Sequence, residues 1–576
     1  MTQTVSLLFG VHAHQPVGNF PQVLDDAHRR CYWPFLRVLH RYPEFRFAVH
    51  FSGWLLQYLM ERYPQDMSLL SDMVRRGQVE VFGGGDTEPV LAAIPSRDRV
   101  GQILALSDRL EGALGQRPRG AWLTERVWES SVVPALADSG VRYVTVDDYH
   151  FLCTGRGAGE LNGHFSTEED GRSLDLFPIS EALRYRLPVS PAPEAVQYHE
   201  SLADGAGDAA IYFDDIEKFG IWPETYEWVY EKGWLEQFIR GVLGSTHIRT
   251  ERYRDYHAAA RSRGVVYLPT TSYVEMNEWT LPAQAGARYA EMVEEAKLGG
   301  RYDKDKAFLR GGIWRNFFSR YPESNWMHKR MLGLSNRVAG LAPADRKPEI
   351  VARLYEAQAN DAYWHGLFGG LYLPHLRRAV NSAMVDLEGM LDRLQPRPPR
   401  ERLDADLDGA EEIFLQTGEI QAVVRCDGRA ALGELDFYAL RQNFGDTLRR
   451  HPEHYHAKVK RSEAVAQGGA GIASAHDRVS FKHDIGPADL VLDGLPRGMF
   501  LDRLNGLLVE DYVEQSGDEG QCVARFIARA GAVSKQYRLA GNRLVAAFGF
   551  QGGRPATFST ELNIAMPSCD GPAGRY

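Results

Sequence analysis

The sequence predicts a multidomain protein of the α/β plus β class, with an N-terminal (β/α)7-type barrel, a helical subdomain and a C-terminal β-sandwich. Three patterns support this prediction. Short apolar runs alternate with amphipathic stretches over residues 1–282, helical spacing dominates residues 283–394, and short strands separated by turn residues fill residues 403–576. The 576 residues suffice for about four ordinary domains, or for fewer if one of them is a large barrel.

Apolar runs in the first part of the chain predict the strands of the barrel. Nearly continuous apolar runs are typical of parallel strands that are buried on both faces. Helical patterns, such as those over 53–62 and 97–114, lie between several of them, and about seven strands over this length favour a closed barrel. The predicted strands are Val5–Val11, Phe45–Val49, Val79–Phe82, Ala121–Leu123, Tyr143–Val146, Ala209–Phe213 and Val265–Leu268.

The pattern changes twice after the barrel. Residues 283–394 have helical spacing and predict a subdomain that packs on the barrel. A cluster of three prolines, Pro396, Pro398 and Pro399, then predicts a stiff linker over 395–402. Beyond it, many short strands with Gly, Asn and Asp turns predict an all-β sandwich over 403–576.

Composition excludes several classes of protein and partner. Hydrophobic residues make up 44% of the chain and charged residues 25%, which is typical of a folded globular protein. The net charge of −10 argues against a nucleic-acid partner, because phosphate binding needs a cationic surface. The five widely spaced cysteines favour a reducing compartment, and the N-terminal apolar run is interrupted by histidines, as in a first strand. We therefore expect a cytoplasmic protein without a membrane partner.

Polar side chains follow the predicted strands at the points where they end. In parallel sheets and barrels, functional residues collect at the carboxyl ends of strands. A single acid there is usually a loop or cap residue, but acids follow at least four of these strands and a histidine pair follows another. The residues concerned are His12 and His14 after the first strand, Glu80, Asp86 and Glu88 in or after the third, Glu125 after the fourth, Asp147 and Asp148 after the fifth, Asp214, Asp215 and Glu217 after the sixth, and Thr270, Thr271 and Glu275 after the seventh.

Two acidic clusters have the composition of a glycoside-cleaving site. Glu125 lies between two tryptophans and beside Arg126, so apolar rings and a cation can tune its ionisation. Asp214, Asp215 and Glu217 repel one another, which raises the pKa of at least one and makes it a proton donor near neutral pH. A low-pKa and a raised carboxylate on facing loops is the arrangement that cleaves glycosides.

Other motifs leave alternatives open. His12 and His14 point to one face of their strand, where they could hold a metal with one more acid, bond sugar hydroxyls, or complete a polar core. The segment from Asp404 to Gly409 begins like an EF-hand loop, but Leu415 occupies its twelfth position, so an acidic turn is favoured over a calcium site.

The ordered motifs resemble glycoside hydrolase family 57, and more closely its 4-α-glucanotransferase and α-amylase branch. The resemblance covers essentially the whole chain. The matching segments are HAHQP at 12–16, GQVEVFGGG at 77–85, WLTERVWE at 122–129, IYFDDIEKFGIWPETYEWVYEKGWL at 211–235 and NDAYWHGLFGGLYL at 360–373.

The resemblance implies roles for individual residues. Glu125 matches the nucleophile and Asp215 the general acid/base, with Asp214 ranked second. Ile216 stands where this branch usually has glycine. No cofactor or metal is implied. The residues expected to contact the substrate are His12, His14, Glu80, Trp122, Glu217, Trp222, Asp361 and Trp364.

The function implied by the resemblance is that of a retaining 4-α-glucanotransferase acting on α-1,4-glucans or malto-oligosaccharides through a covalent glucosyl-enzyme. Retention requires the two carboxylates to lie about 5–5.5 Å apart. The alternatives are an α-amylase-type hydrolase with the same catalytic pair, a metal-dependent carbohydrate deacetylase that uses His12 and His14, and a catalytically silent glycan-binding protein. The sequence leaves the oligomeric state open, including a homodimer.

Overall fold

The computed structural model divides into two compact units. The first unit comprises Met1–Asn316 and Glu453–Gly486, and the second Phe317–Pro452 and Pro487–Tyr576. The structure describes residues 3–203, 207–454, 456, 490–515, 520–529, 531–552 and 555–566. Among these residues, no helix is both long and apolar enough to cross a membrane. The predicted domain limits 1–282, 283–394, 395–402 and 403–576 remain predictions.

The first unit is built on a barrel. Its strands are β1 Val5–Ala13, β2 Phe47–Phe51, β3 Val79–Phe82, β4 Gly120–Trp122, β5 Tyr143–Asp147, β6 Phe165–Glu169, β7 Arg172–Ile179, β8 Ala209–Asp215 and β9 Ile248–Glu251. Parallel strands follow the order β3-β2-β1-β8 in one sheet and β4-β5-β7 in the other. A parallel bridge between Gly83 and Ala121 joins β3 to β4, and the Ser180 amide donates to the Ile211 carbonyl at 2.9 Å between β7 and β8. Within the described part of this unit, seven parallel strands thus run around the barrel, as predicted.

Helices alternate with these strands in chain order. They are α1 Pro21–Ala27, α2 Trp33–His40, α3 Gly53–Arg62, α4 Pro64–Arg75, α5 Ser96–Leu114, α6 Val133–Asp138, α7 Asp148–Leu152, α8 Glu181–Arg186, α9 Ala192–Ser201, α10 Trp234–Gly244, α11 Tyr253–Ala259, α12 Met276–Trp279, α13 Ala283–Leu298 and α14 Tyr302–Asp305. Outward-facing strand residues such as Phe9 and Tyr212 pack in a core with residues of the helices, such as Phe35 and Phe238.

Aromatic side chains fill the inside of the barrel. Phe82, Phe177 and Phe213 pack there against Tyr253 of α11. The Tyr253 hydroxyl donates at 2.9 Å to the Tyr212 carbonyl of β8 and lies 3.2 Å from the Leu8 carbonyl of β1. The Tyr256 hydroxyl of the same helix donates at 2.7 Å to the Gly207 carbonyl before β8 begins. Helix α11 therefore closes the amino end of the barrel, and the carboxyl ends of the strands are left for a functional site.

Two strand predictions were inaccurate. The second strand is Phe47–Phe51 and begins two residues later than predicted. Val265–Leu268 forms no regular strand: Val265 makes only an isolated bridge, to Ser166. Val265 and Tyr267 are both 63% exposed, unlike residues of a buried strand. The seventh barrel strand is β7, Arg172–Ile179, whose exposed, polar first residues obscured it in the sequence.

The second unit contains helices followed by antiparallel strands. The helices are α15 Asn316–Arg320, which begins at the last residue of the first unit, α16 Pro322–Gly340, α17 Pro348–Ala357 and α18 Pro374–Leu394. The strands are β10 Arg400–Leu403, β11 Glu412–Gln416, β12 Ile420–Arg425, β13 Leu432–Phe437, β14 Gln442–Asn443, β15 Met499–Leu504, β16 Leu507–Leu508, β17 Tyr512–Glu514, β18 Val523–Ala528, β19 Val533–Ala540, β20 Arg543–Phe550 and β21 Phe558–Leu562.

These strands form two antiparallel sheets that share one core. One sheet contains β10 to β16 with β21, and the other has the order β17-β18-β19-β20. Ile413 and Val424 of the first sheet pack in the same cluster as Phe526 and Tyr537 of the second. The predicted β-sandwich is therefore confirmed. Strand β10 begins at Arg400, inside the predicted linker.

Candidate active site

The sequence motifs that follow the barrel strands lie together at the carboxyl ends of those strands. In the strand register, His12 of β1 lies beside Asp215 of β8 and beside His50 of β2. The Trp122 ring at the end of β4 stacks on the His12 ring, with centroids 4.4 Å apart and planes at 15°. The carboxyl ends of β4 and β8, which directly precede or contain Glu125 and Asp215, thus both lie beside His12.

Glu125 occupies a strained turn directly after β4. Its φ of 53° and ψ of 20° lie in the left-handed region, which costs a residue with a side chain about 1–2 kcal/mol. Two neighbours hold it there: the Ser272 hydroxyl donates to the Glu125 carbonyl, and the Tyr273 hydroxyl donates to Oε2 at 2.8 Å. Unusual backbone conformations persist only where the surroundings enforce them, and they cluster at functional sites. The half-buried carboxylate is therefore fixed in position.

Asp214 and Asp215 are adjacent in sequence but differ in their surroundings. Asp214 is 0% exposed, and its carboxylate contacts the Lys218 ammonium and lies 3.4 Å from Arg184 Nε. These cations hold the pKa of Asp214 well below its usual range despite burial. Asp215 is only partly buried, and desolvation with the nearby Asp214 charge raises its pKa. Asp215 is therefore the one suited to donate a proton.

Buried arginines paired with Asp147 lie near the two candidate carboxylates. Asp147, at the end of β5, accepts from Arg184 Nη1 at 2.7 Å and lies 3.0 Å from Arg126 Nε. The Arg126 guanidinium lies 4.3 Å from the centroid of the Tyr273 ring. Its charge offsets part of the rise in the pKa of Asp215. A fixed positive charge thus lies beside the tyrosine that binds Glu125 and close to Asp215.

Glu217 is a third acid in this site. Its Oε1 accepts a hydrogen bond from the Tyr32 hydroxyl at 2.6 Å. Burial and the charge of Asp215 raise its pKa to about 8. The Trp222 ring is 7% exposed and lies 5.2 Å from the Lys218 ammonium. At neutral pH, Glu217 is thus largely protonated and can donate as well as accept a hydrogen bond.

A buried pair of histidines lies behind the site. His12 Nδ1 and His50 Nδ1 are 2.8 Å apart, so one donates to the other. Burial lowers the pKa of both, that of His50 to about 3, and both are therefore neutral. Glu88 Oε1 lies 3.5 Å from His50 Nδ1, and Glu88 Oε2 accepts from the Thr124 hydroxyl at 2.7 Å.

The same three side chains, His12, His50 and Glu88, could also offer atoms to a metal ion. An ion bound there would replace the 2.8 Å hydrogen bond between the imidazoles.

Comparison with known proteins places the chain in a family. Residues 8–269 match glycosyl hydrolase family 57, and residues 312–391 and 404–576 match the middle and C-terminal domains described as alpha-amylase/4-alpha-glucanotransferase. A 4-alpha-glucanotransferase from Thermococcus kodakarensis is 39% identical over 98% of this chain and 88% of its own. The chain belongs to glycosyl hydrolase family 57.

Further relatives in family 57 carry two names. An alpha-amylase from Pyrococcus furiosus is 41% identical over 89% of this chain and 77% of its own length. The crystal structure of a 4-alpha-glucanotransferase from Thermococcus litoralis superposes with a TM-score of 0.85 at 36% identity, over 98% of this chain and 87% of that one. The two activity names therefore occur among relatives of comparable similarity.

Two of the expected sugar contacts in this family 57 chain already have protein partners. His14 Nδ1 lies 3.1 Å from the Ser52 hydroxyl. Glu80 is 1% exposed inside the barrel, where Oε1 accepts from the Tyr143 hydroxyl and Oε2 accepts from the Arg254 amide at 2.8 Å. Burial raises its pKa to about 7. The sugar contacts of His14 and Glu80 stay predictions.

The two remaining expected contacts belong to the second unit. Asp361 lies in a short 3-10 turn, Asn360–Tyr363, and Trp364 follows it. The Trp364 ring is 4% exposed, and its Nε1 donates to Asn360 Oδ1 at 3.0 Å. Contact of Asp361 and Trp364 with a glucan also stays a prediction.

Several site residues carried no signal in the sequence of this family 57 protein. His50, Arg184 and Tyr273 come from β2, α8 and a loop after α11, each far from the motif residue that it contacts. Tyr32, the partner of Glu217, is one of many tyrosines and stands in no motif. A polar residue ending a buried strand could have identified His50, because the same rule identified His12.

Proposed function

We propose that the chain is a retaining 4-α-glucanotransferase that acts on α-1,4-glucans and malto-oligosaccharides. Relatives of that name support this at 39% identity over nearly the whole chain and at a TM-score of 0.85. The observation that carries the proposal is the division of roles among the carboxylates: Glu125 is fixed by Tyr273, and Asp215 has a raised pKa beside a fully paired Asp214.

The reaction proceeds in two displacements. Glu125 attacks the anomeric carbon while Asp215 protonates the oxygen of the departing glucan, which gives a covalent glucosyl-enzyme. Asp215, now ionised, takes the proton of an incoming glucan 4-hydroxyl as that oxygen displaces Glu125. The raised pKa of Asp215 suits both steps, because the group must be protonated first and ionised afterwards.

Positioning residues support each carboxylate. The Tyr273 hydroxyl donates to Oε2 of Glu125 and so fixes the orientation of the nucleophile. The Asp215 amide donates to Asp214 Oδ1 at 3.0 Å, so the ion pair of Asp214 with Lys218 also fixes the backbone that carries the proton donor. Precise placement of reacting groups is a large part of enzymatic rate enhancement.

The substrate-binding surface that we propose consists of rings and hydrogen-bonding groups around the catalytic pair. His12, His14, Trp122, Glu217 and Trp222 all lie at or just beyond the carboxyl ends of β1, β4 and β8. Aromatic rings with neighbouring polar groups suit sugars, which present apolar faces and hydroxyl edges. Asp361 and Trp364 are proposed to add contacts from the second unit.

The mechanism is tested by removing and then replacing the nucleophile. Glu125→Ala should lower kcat by about 10⁴-fold or more with an unchanged circular dichroism spectrum. Azide should then restore turnover and yield a β-glucosyl azide, because the small anion attacks from the face that Glu125 leaves vacant. Asp215→Ala with azide is the matched control and should yield an α-glucosyl azide. Exchange of these two products would reverse the assigned roles.

A second function, hydrolysis by an α-amylase-type enzyme, is supported by the amylase-named relatives at 41% identity. The same glucosyl-enzyme serves both reactions, and only the acceptor differs. Incubation with maltotriose separates them: longer oligosaccharides indicate transfer, and only shorter sugars indicate hydrolysis. A metal-dependent deacetylase would instead release acetate from acetylated sugars and lose that activity with a chelator.

A further inference from the structure

A second cluster of ionisable side chains lies at the amino end of the barrel, at the opposite ends of the strands from the catalytic residues. Asp175 pairs in register with Tyr143, the first residue of β5, whereas Asp147, the last residue of β5, belongs to the catalytic network. His164 directly precedes β6, and His257 belongs to helix α11. The three side chains come from separate segments of the first unit and have no part in the proposed reaction.

The donor atoms of this cluster are close enough to share one ion. A ring nitrogen of each histidine and a carboxylate oxygen of Asp175 lie within 4.8 Å of one another. His257 Nε2 is 2.6 Å from Asp175 Oδ2, and the rings of His164 and His257 are 4.9 Å apart. Zinc bonds of about 2.0–2.2 Å place ligand atoms about 3.3 Å apart. To bind one ion, the Asp175–His257 hydrogen bond would have to lengthen by about 0.7 Å, and donors now farther apart, up to 4.8 Å, would have to approach.

An unsatisfied nitrogen supports a ligand at this position. His164 is 3% exposed, and among the described residues no group lies within hydrogen-bonding distance of its Nδ1. Buried polar atoms nearly always have a partner, because burial removes the water that would otherwise bond to them. An ion bound between the two histidines would give this imidazole a partner.

The surroundings match those of protein metal sites. The Ser166 hydroxyl donates to Asp175 Oδ1 at 2.6 Å and lies 2.9 Å from the Ser262 hydroxyl, so the carboxylate is already oriented. The rings of Phe177 and Tyr256 lie 5.4 and 6.3 Å from the His164 ring. The nearby Arg263 guanidinium is paired with Asp208 at 2.8 Å. Ligands oriented by hydrogen bonds are typical of bound transition metals.

We propose that His164, Asp175 and His257 bind one Zn²⁺ ion, with water as its fourth ligand. Two histidines and a carboxylate are a donor set that zinc prefers. The Asp175 and His257 side chains are 23% and 24% exposed, which admits the ion and its water. The ion would link α11 to β7 and to the loop before β6. Because α11 closes the amino end of the barrel, the bound metal would stabilise the first unit against unfolding.

The test is a titration of the full chain, stripped of metal by a chelator, with Co²⁺ as a spectroscopic substitute for Zn²⁺. The wild-type protein should bind one equivalent and show the visible absorption of four-coordinate Co²⁺, which Zn²⁺ then displaces. His164→Asn and His257→Asn should each weaken binding at least tenfold. Zn²⁺ should raise the Tm of the wild-type protein and leave that of His257→Asn unchanged.

Two control variants isolate the cluster. His28 Nε2 lies 2.9 Å from Asp66 Oδ2, and its Nδ1 also lacks a partner among the described residues, but this pair has no second histidine. His28→Asn should therefore bind Co²⁺ as the wild type does. His50→Asn, which disrupts the cluster beside the active site, should do so too. The proposal is overturned if the wild-type protein binds no Co²⁺ at one equivalent, or if His50→Asn abolishes binding while His257→Asn retains it.

Discussion

Both ends of the barrel contain carboxylates, but the exposure and the bonding partners of these acids differ between the two ends. At the amino end, each oxygen of Glu80 accepts a hydrogen bond from a protein group, one from Tyr143 and one from the start of α11. At the carboxyl end, Glu125 and Asp215 remain partly exposed, and the cations nearby are bound to Asp147 and Asp214 instead. The difference indicates that a buried, hydrogen-bonded acid stabilises the fold at one end, whereas partly exposed acids beside paired cations are prepared for a reaction at the other.

The largest expected effect separates the two adjacent aspartates of β8. Asp215→Asn should lower kcat by about 10²–10⁴-fold with little change in stability, because it removes the proton donor and no ion pair. Asp214→Asn should destabilise the protein by about 3–5 kcal/mol, because it removes the buried carboxylate that the Lys218 ammonium contacts and one of the carboxylates that pair with Arg184. Steady-state kinetics and urea unfolding of both variants measure the contrast.

The opposite outcome for these two variants would exchange the roles of Asp214 and Asp215. A stable Asp214→Asn variant that has lost activity would make Asp214 the proton donor. A destabilised Asp215→Asn variant that retains its kcat would show that Asp215 serves the fold.

An intermediate effect is expected for the tyrosine that holds the nucleophile. Tyr273→Phe keeps the ring that contacts Arg126 and removes only the hydroxyl bonded to Glu125. Loss of a hydrogen bond to a charged group, at about 1.5–3 kcal/mol, should lower kcat by roughly 10–100-fold. Tyr32→Phe, which removes the hydroxyl bonded to Glu217, is the matched comparison and should act mainly on KM. Equal kcat values for Tyr273→Phe and the wild type would exclude a role in positioning.

The smallest effect should appear only in stability, at the amino end. The pKa of Glu80 is raised from 4.5 to about 7, so the folded protein holds a proton there that the unfolded chain has lost. The stability that protonated Glu80 supplies is complete below pH 4.5 and is lost as pH rises through 7. Relative to Glu80→Gln, the wild-type protein should therefore lose up to about 1.4 kcal/mol per pH unit across this window, with kcat unchanged.

Urea unfolding of the wild type and of Glu80→Gln at several pH values measures this slope. A stability difference that does not vary with pH would show that Glu80 is ionised throughout. A large fall in kcat for Glu80→Gln would instead restore the predicted sugar contact of Glu80.

The sequence predicted the barrel, the sandwich and the positions of the main acids, because these depend on local patterns. Buried strands are apolar runs, and acids after them stand out. The seventh strand was misplaced because Val265 and Tyr267 have the composition of a strand but lie exposed, whereas β7 begins with polar residues. The choice between Asp214 and Asp215 rested on the family resemblance, because part of their difference arises from Arg184, 30 residues before Asp214 in the chain.

The backbone of Glu125 has a consequence for engineering this protein. A φ of 53° favours glycine or asparagine over glutamate. Replacing Glu125 with glycine or asparagine should therefore make the protein more stable while removing its proposed nucleophile. A laboratory selection for heat resistance alone would tend to discard Glu125, so any such selection must score turnover in the same round.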